Sequence, residues 1–193
     1  MSRGEIIPES AVRFVRDLDV PPARVWAFLT DSSLLPEWYG EGRIEPREGG
    51  KVSLMGGHIR GVVTGWRPEE FLAYTWNVCQ PGETLASSSE AVGQTTVSSS
   101  EAVVQTKASS SEAVGQTKIS AWPVSYVEFT LAGPCLTLVH RPIPKSMQSQ
   151  TLMGWHTMLD LIAAGLKGEF PRRHDIFPKN AALYGVDLNN LKR

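Results

Sequence analysis

The segment SMQSQTLMGWHTMLDLIAAGLKG, Ser146 to Gly168, does most to limit the folds open to this chain. Leu152, Trp155, Leu159, Ile162 and Leu166 recur at helical spacing, and Met158 and Leu161 widen the stripe. The spacing predicts a helix of about six turns, with Gly168 as its stop. A broad apolar stripe on one long helix has to be covered by another part of the chain. What precedes it is a series of short segments that alternate with a period of two.

AVRFVRDL places Val12, Phe14 and Leu18 on one side of a strand, and Arg16 shares that phase, so it needs a partner or an exposed strand end. PPARVWAFLTD starts with two prolines where a helix tolerates them and then spaces Val25, Trp26 and Leu29 helically. SSLLPEWYGEG reads as a short second helix broken by Pro36 and ended by glycine. RIEPREGG, KVSLMGG, HIRGVVTGW and FLAYTWNV follow, punctuated by Gly-Gly and Arg-Pro-Glu-Glu in the manner of an antiparallel meander. YVEFTL and LTLVHR add two more strands before the long helix, and the tail carries one short helix around Asn180–Tyr184. The order predicts an α+β fold, a curved antiparallel sheet of about six or seven strands wrapped around the final helix.

Between FLAYTWNV and YVEFTL lies an eleven-residue unit written three times, beginning at Ser87, Ser98 and Ser109. Serine, glutamate, glutamine and threonine dominate it, so it offers little to offset its ordering entropy. Loop closure becomes only slowly less favourable with length. Residues 86–119 are therefore read as a weakly ordered insert in one hairpin, in preference to a functional lid or an ordered insertion. The domain then spans residues 1–168, interrupted by 86–119, with 169–193 as a C-terminal extension.

Taken in order, VPPARVWAFLTD, LPEWYGEGRIEPREGGKVSL, GHIRGVVTGWRPEEFLAYTW, YVEFTL, LTLVHR and GWHTMLDLI resemble the SRPBCC (START/Bet v 1-like) superfamily. The closest branch is that of small bacterial proteins related to the C-terminal domain of the activator of Hsp90 ATPase. The resemblance implies a helix-grip fold with a cavity between the sheet and the long helix, often for an apolar or amphipathic small molecule. Carriers, sensors, aromatase/cyclases and chaperone regulators share that fold, so it implies no single reaction.

Strand alternation puts Leu72, Tyr74 and Trp76 on one face, Val127 and Phe129 on another, and Leu136, Leu138 and His140 on a third, all toward Trp155 and Leu159. Trp38, Tyr74, Trp76, Phe129, His140, Trp155 and Leu159 are the candidate ligand-binding residues, with Tyr39 beside Trp38. A connected void of about 300 Å3 or more among them would mark a ligand site, whereas complete filling would mark a plain core. His140 and Tyr74 are the candidate catalytic pair, against the alternative of a buried neutral imidazole bonded to backbone or to Tyr74. Non-catalytic binding of an apolar small molecule is favoured over a cyclase, dehydratase or hydrolase in the same cavity. His156 and Asp160, four residues apart, are read as a solvent-side pair and not a metal site, which ordinarily takes three or four ligands. No metal and no cofactor are expected.

Composition narrows the partners. A net charge of −1 gives no electrostatic reason for nucleic acid or an anionic membrane. Cys79 and Cys135 are too few for a disulfide scaffold, and the first residues lack the apolar core of a signal peptide. A cytoplasmic location is expected. A chaperone partner is suggested only by the family resemblance, without a docking motif, and an edge-strand homodimer stays open.

Overall fold

The computed structural model describes residues 3–8, 10–79 and 124–191. The elements are β1 (Glu5–Ile7), β2 (Ala11–Asp17), α1 (Pro22–Thr30), α2 (Leu35–Trp38), β3 (Arg43–Ile44), β4 (Lys51–Leu54), β5 (Ile59–Arg67), β6 (Phe71–Val78), β7 (Ser125–Ala132), β8 (Cys135–Arg141), α3 (Gln148–Leu166) and α4 (Arg173–Tyr184). The triplicate insert, and the reading given to it, lie outside the described residues.

Among the described residues, eight strands form one antiparallel sheet in the order β1-β2-β8-β7-β6-β5-β4-β3. The sheet has one strand more than the alternation can show. β1 is three residues long, too short for a readable period, and is held to β2 by the register Glu5↔Arg13. A bulge between Val63 and Gly65 interrupts the β5–β6 ladder, where extra local twist helps the sheet curve. Gly61 has no freedom to carry a side chain there, because a Cβ would run into the Thr75 carbonyl of β6.

Register builds the concave face in rows. Phe14, Leu138, Phe129 and Leu72 stand side by side across β2, β8, β7 and β6, and Val12, His140, Val127 and Tyr74 form the next row. Both rows are buried. The helix α3 lies against them through Leu152, Trp155, Leu159, Ile162 and Leu166, the stripe its spacing predicts, all buried. This is the helix-grip arrangement. Helix α1 meets α3 at Gly165, where a Cβ would stand 2.6 Å from Phe28 Cε1.

Two local readings change. Pro36 sits in the first turn of α2, where its missing N–H is harmless, so it starts the helix instead of breaking it. The tail helix extends from Arg173 to Tyr184 across Pro178. It covers the flank of α3 that carries His156, Thr157 and Asp160 with buried Asn180, Ala181 and Tyr184. His156 is consequently only 5% exposed, and the expected solvent-side position of the His156–Asp160 pair is corrected. Helical arithmetic places that flank away from the Leu159–Ile162–Leu166 centre but cannot show that Phe14 of β2 and the tail pack over it.

Candidate functional site

Aromatic rings meet one another between the sheet and α3. Trp155 reaches down from α3 to within 5.3 Å of Trp76, 5.9 Å of Phe129 and 5.9 Å of His140, centroid to centroid. Trp76 and His140 lie 5.0 Å apart. Tyr74 joins through Phe129 at 6.3 Å, and Tyr39 through Trp76 at 5.9 Å and Trp155 at 6.1 Å. Such tilted and edge-on contacts are the favoured geometries for aromatic pairs. Trp38 touches Tyr39 at 4.7 Å, while its indole N–H donates to the Phe28 carbonyl at 2.7 Å, which pins α2 to α1. Leu159 is buried in the same core. Trp76 is half-buried.

His140 sits in a chain of hydrogen bonds whose direction can be worked out. Trp155 Nε1 donates to His140 Nδ1 at 3.0 Å, and an indole N–H has no acceptor capacity. Nδ1 must therefore be unprotonated, so the proton of the neutral ring is on Nε2. Nε2–H then donates to Ser125 Oγ at 2.8 Å, and the Ser125 hydroxyl donates on to the Trp76 carbonyl at 3.3 Å. A second proton on Nδ1 would point directly at the indole N–H. Burial pushes the imidazole pKa down to about 3, because the site stabilises no cation. His140 and Tyr74 are not hydrogen-bonded to each other. Two strand spacings separate them in their row, roughly 10 Å.

The other polar group in this enclosure is phenolic. Tyr39 is completely buried, and its phenol interacts with that of Tyr74. Burial first, then the nearby Tyr74, push the Tyr39 phenol well up, against the opposing pull of Arg173. Burial raises Tyr74 as well. Both stay protonated at any ordinary pH. Arg173, on α4, donates through Nη2 to the Trp38 carbonyl at 2.9 Å and the Tyr39 carbonyl at 3.0 Å. The last turn of α2 is thereby held by a cation at its carbonyl end, the favourable sign for a helix terminus.

A second polar cluster lies on the far flank of α3. The Gly4 amide donates to Tyr184 Oη at 2.9 Å, and Tyr184 Oη meets His156 Nδ1 at 2.8 Å. His156 Nε2 stands 3.5 Å from Asp160 Oδ1, whose other oxygen accepts from Asn180 Nδ2 at 3.2 Å. Burial lowers the His156 pKa, opposed by Asp160 and assisted by Arg16. Arg16, buried on β2, has its guanidinium over the Phe14 ring at 5.3 Å and donates from Nη1 to the Val15 carbonyl at 3.4 Å. Burial lowers its pKa, and the Asp160 charge opposes that. The cluster ties the N-terminal strand, α3 and α4 together.

An open groove of about 580 Å3 lies at the opposite end of the sheet, by the β5–β6 and β7–β8 turns. Arg67, Glu69, Glu70 and Thr130 line it, and none of the candidate site residues does. Among the described residues no group of three or more His, Cys, Asp and Glu side chains could hold a metal ion, and no helix is long and apolar enough to cross a membrane.

The fold and its aromatic interior define a helix-grip protein of the SRPBCC superfamily. Within it, the chain belongs to the family described as Activator of Hsp90 ATPase homolog 1-like protein, which matches residues 19–167. No curated protein matches the sequence. Solved structures share the fold at low identity. CalU16 from Micromonospora echinospora is 20% identical with a TM-score of 0.56, over 95% of this chain and 92% of its own. The Bordetella parapertussis protein BPP1335 is 17% identical with a TM-score of 0.60, over 100% and 95%. DynU16, described as a putative protein in the dynemicin biosynthetic locus, is 18% identical with a TM-score of 0.55, over 84% and 49%.

Sequence reasoning missed two residues of the site, Ser125 and Arg173, and named a third, Tyr39, without its environment. Ser125 was within reach, since it precedes Val127 and Phe129 in the same alternation and extends the strand by one residue. Tyr39 is visible only as the neighbour of Trp38. Arg173 carries no local signal, because its partners lie more than 130 positions away.

Proposed function

We propose that this protein is a non-catalytic binding protein for an apolar or amphipathic small molecule, held between the sheet and α3 against Trp76, Phe129 and Trp155. The observation that carries the reading is the commitment of both His140 nitrogens. The ring sits 2.8 Å from a serine hydroxyl, the distance of a nucleophile and its base. Yet the Trp155 N–H fixes the tautomer in which Nε2 already holds a proton, so His140 cannot take one from Ser125 or from a substrate. The burial that lowers its pKa works in the same direction. A cyclase, dehydratase or hydrolase would need a proton acceptor here, and the arrangement supports recognition instead, by aromatic walls with few polar groups. Chaperone association rests on the family description alone and is not favoured by any feature of the site.

Native mass spectrometry of the full chain, purified without denaturant from its own host, tests this. A stoichiometric small-molecule mass lost on organic extraction is expected. A bare chain mass, together with turnover of a substrate that disappears in His140→Gln, would overturn the reading.

A further inference from the structure

Helix α4 buries Asn180, Ala181 and Tyr184, so polar side chains carry much of its hold on α3. Asn180 Nδ2 donates to Thr157 Oγ1 at 3.1 Å and to Asp160 Oδ2 at 3.2 Å. Tyr184 Oη joins three segments, since it accepts from the Gly4 amide just before β1 and meets His156 Nδ1 on α3. Elements with few buried apolar contacts open ahead of the rest of a domain.

The donors fix the protons around His156. The Gly4 amide can only donate, so Tyr184 Oη accepts there. The phenol hydrogen then has one acceptor among the described residues, His156 Nδ1 at 2.8 Å. Nδ1 is therefore bare, and Nε2–H faces Asp160 Oδ1 at 3.5 Å without a hydrogen bond. The other tautomer would aim a bare Nε2 at a carboxylate. A second proton, on Nδ1, makes the ring a donor toward Tyr184 Oη and takes away the acceptor of the phenol hydrogen. Leaving a buried donor unsatisfied is unfavourable. The charges around the ring do not make up for it. Burial and the cations Arg16 on β2 and Lys179 on α4 outweigh the Asp160 charge on α3, so the enclosed ring takes a proton less readily than a free histidine. Phe14 of β2 packs edge-on against it at 5.9 Å, and Arg3 stands over the Tyr184 ring at 5.0 Å.

We infer that α4 is an acid-released strap: protonation of His156 frees α4 and β1 from α3 and, through Arg173, loosens the α2 turn. The inference goes beyond the binding function proposed above and does not depend on it. Arg173 begins α4 and holds the Trp38 and Tyr39 carbonyls at 2.9 and 3.0 Å. Tyr39 in turn touches Trp76 and Trp155. With the strap released, His156 meets water and titrates at the ordinary 6.5. The closed strap binds fewer protons, so closure is strongest above pH 6.5 and weakens as the pH falls below it.

Amide exchange of the full chain at pH 7 and pH 5.5, expressed as protection factors, tests this. Protection of Gly4–Ile7 and Ala181–Tyr184 should fall several-fold at pH 5.5, up to about eightfold, the limit set by an ordinary histidine in the released form. Tyr39 and Gly40 should follow, and Val127 and Leu138 in the central strands should keep higher protection throughout. In His156→Gln, whose amide oxygen can accept from Tyr184, the fall in Gly4–Ile7 and Ala181–Tyr184 should be below about twofold. His174, exposed beside Asp175, is present in both proteins and cancels in the comparison. In Arg173→Gln, α4 and β1 should still respond to acid while Tyr39 and Gly40 no longer follow, a result that stands even if His156→Gln does not fold. Constant protection of α4 in the natural chain, or an equal fall in His156→Gln, would overturn the strap. A fall at α4 that leaves Tyr39 and Gly40 protected would overturn its link to α2.

Discussion

Exchanging His140 for glutamine should flatten the acid dependence of stability. The imidazole has a pKa of about 3 in the folded chain against 6.5 for the free group. Between those values the unfolded chain carries a proton that the folded chain does not. The stabilisation from a neutral His140 is therefore complete above pH 6.5 and is lost as the pH falls, by about 1.4 kcal/mol per unit, until pH approaches 3. From pH 7 to pH 5 the loss integrates to about 2 kcal/mol, a large part of a typical folding free energy. Urea unfolding followed by tryptophan fluorescence at the two pH values measures it. Glutamine keeps a donor toward Ser125 and does not titrate. It also leaves the Trp155 N–H without its acceptor, which lowers stability equally at both pH values. His156, whose pKa is lowered too, titrates in both proteins. The difference between natural chain and variant therefore isolates His140 and should be about 2 kcal/mol. Equal losses in the two proteins would show that position 140 accepts a proton as free histidine does and would refute the tautomer assignment.

Tyr184→Phe should destabilise the chain by about 1–3 kcal/mol, because it leaves the Gly4 amide and His156 Nδ1 without their shared partner. Faster amide exchange in Glu5–Ile7 would localise the effect, and unchanged exchange would contradict the link. Arg173→Gln should speed amide exchange at Tyr39 and Gly40 by about tenfold, since their bonds to the Leu35 carbonyl lose the clamp on α2; an unaltered rate would mean that α2 needs no support from α4. Gly165→Ala sets a helix-propensity gain of about 1 kcal/mol against an overpacking penalty of about 1–3 kcal/mol at the Phe28 ring, 2.6 Å away. Phe28 is itself buried, so a melting temperature lower by a few degrees is expected, and a higher one would show that α1 can shift.

What could be read from sequence follows from how far each signal reaches along the chain. The α3 stripe and the alternation of Tyr74, Phe129 and Leu138 are local periodicities, and the sheet rows and the helix buried against them agree with those periodicities. β1 escaped because three residues carry no period. The flank of α3 with His156 and Asp160 was assigned to water because its cover, α4, contains Pro178 and lacks a clear apolar stripe. The phase of Arg16 did place it inward, where it is buried with its guanidinium over the Phe14 ring. The facing of His140 toward Trp155 was legible, but the hydrogen bonds it makes there were not. Its two partners come from β7 and α3 through tertiary packing, and neither spacing nor composition carries that information.

The ring nitrogens of His140 decide between binding and catalysis, and nitrogen-15 NMR of histidine-labelled protein observes them directly. The expected spectrum shows Nε2 protonated and Nδ1 bare at pH 7, unchanged on acidification to pH 5. A proton on Nδ1 would turn the Nε2 lone pair toward Ser125, the arrangement a serine nucleophile needs, and would contradict a site built only to hold its ligand.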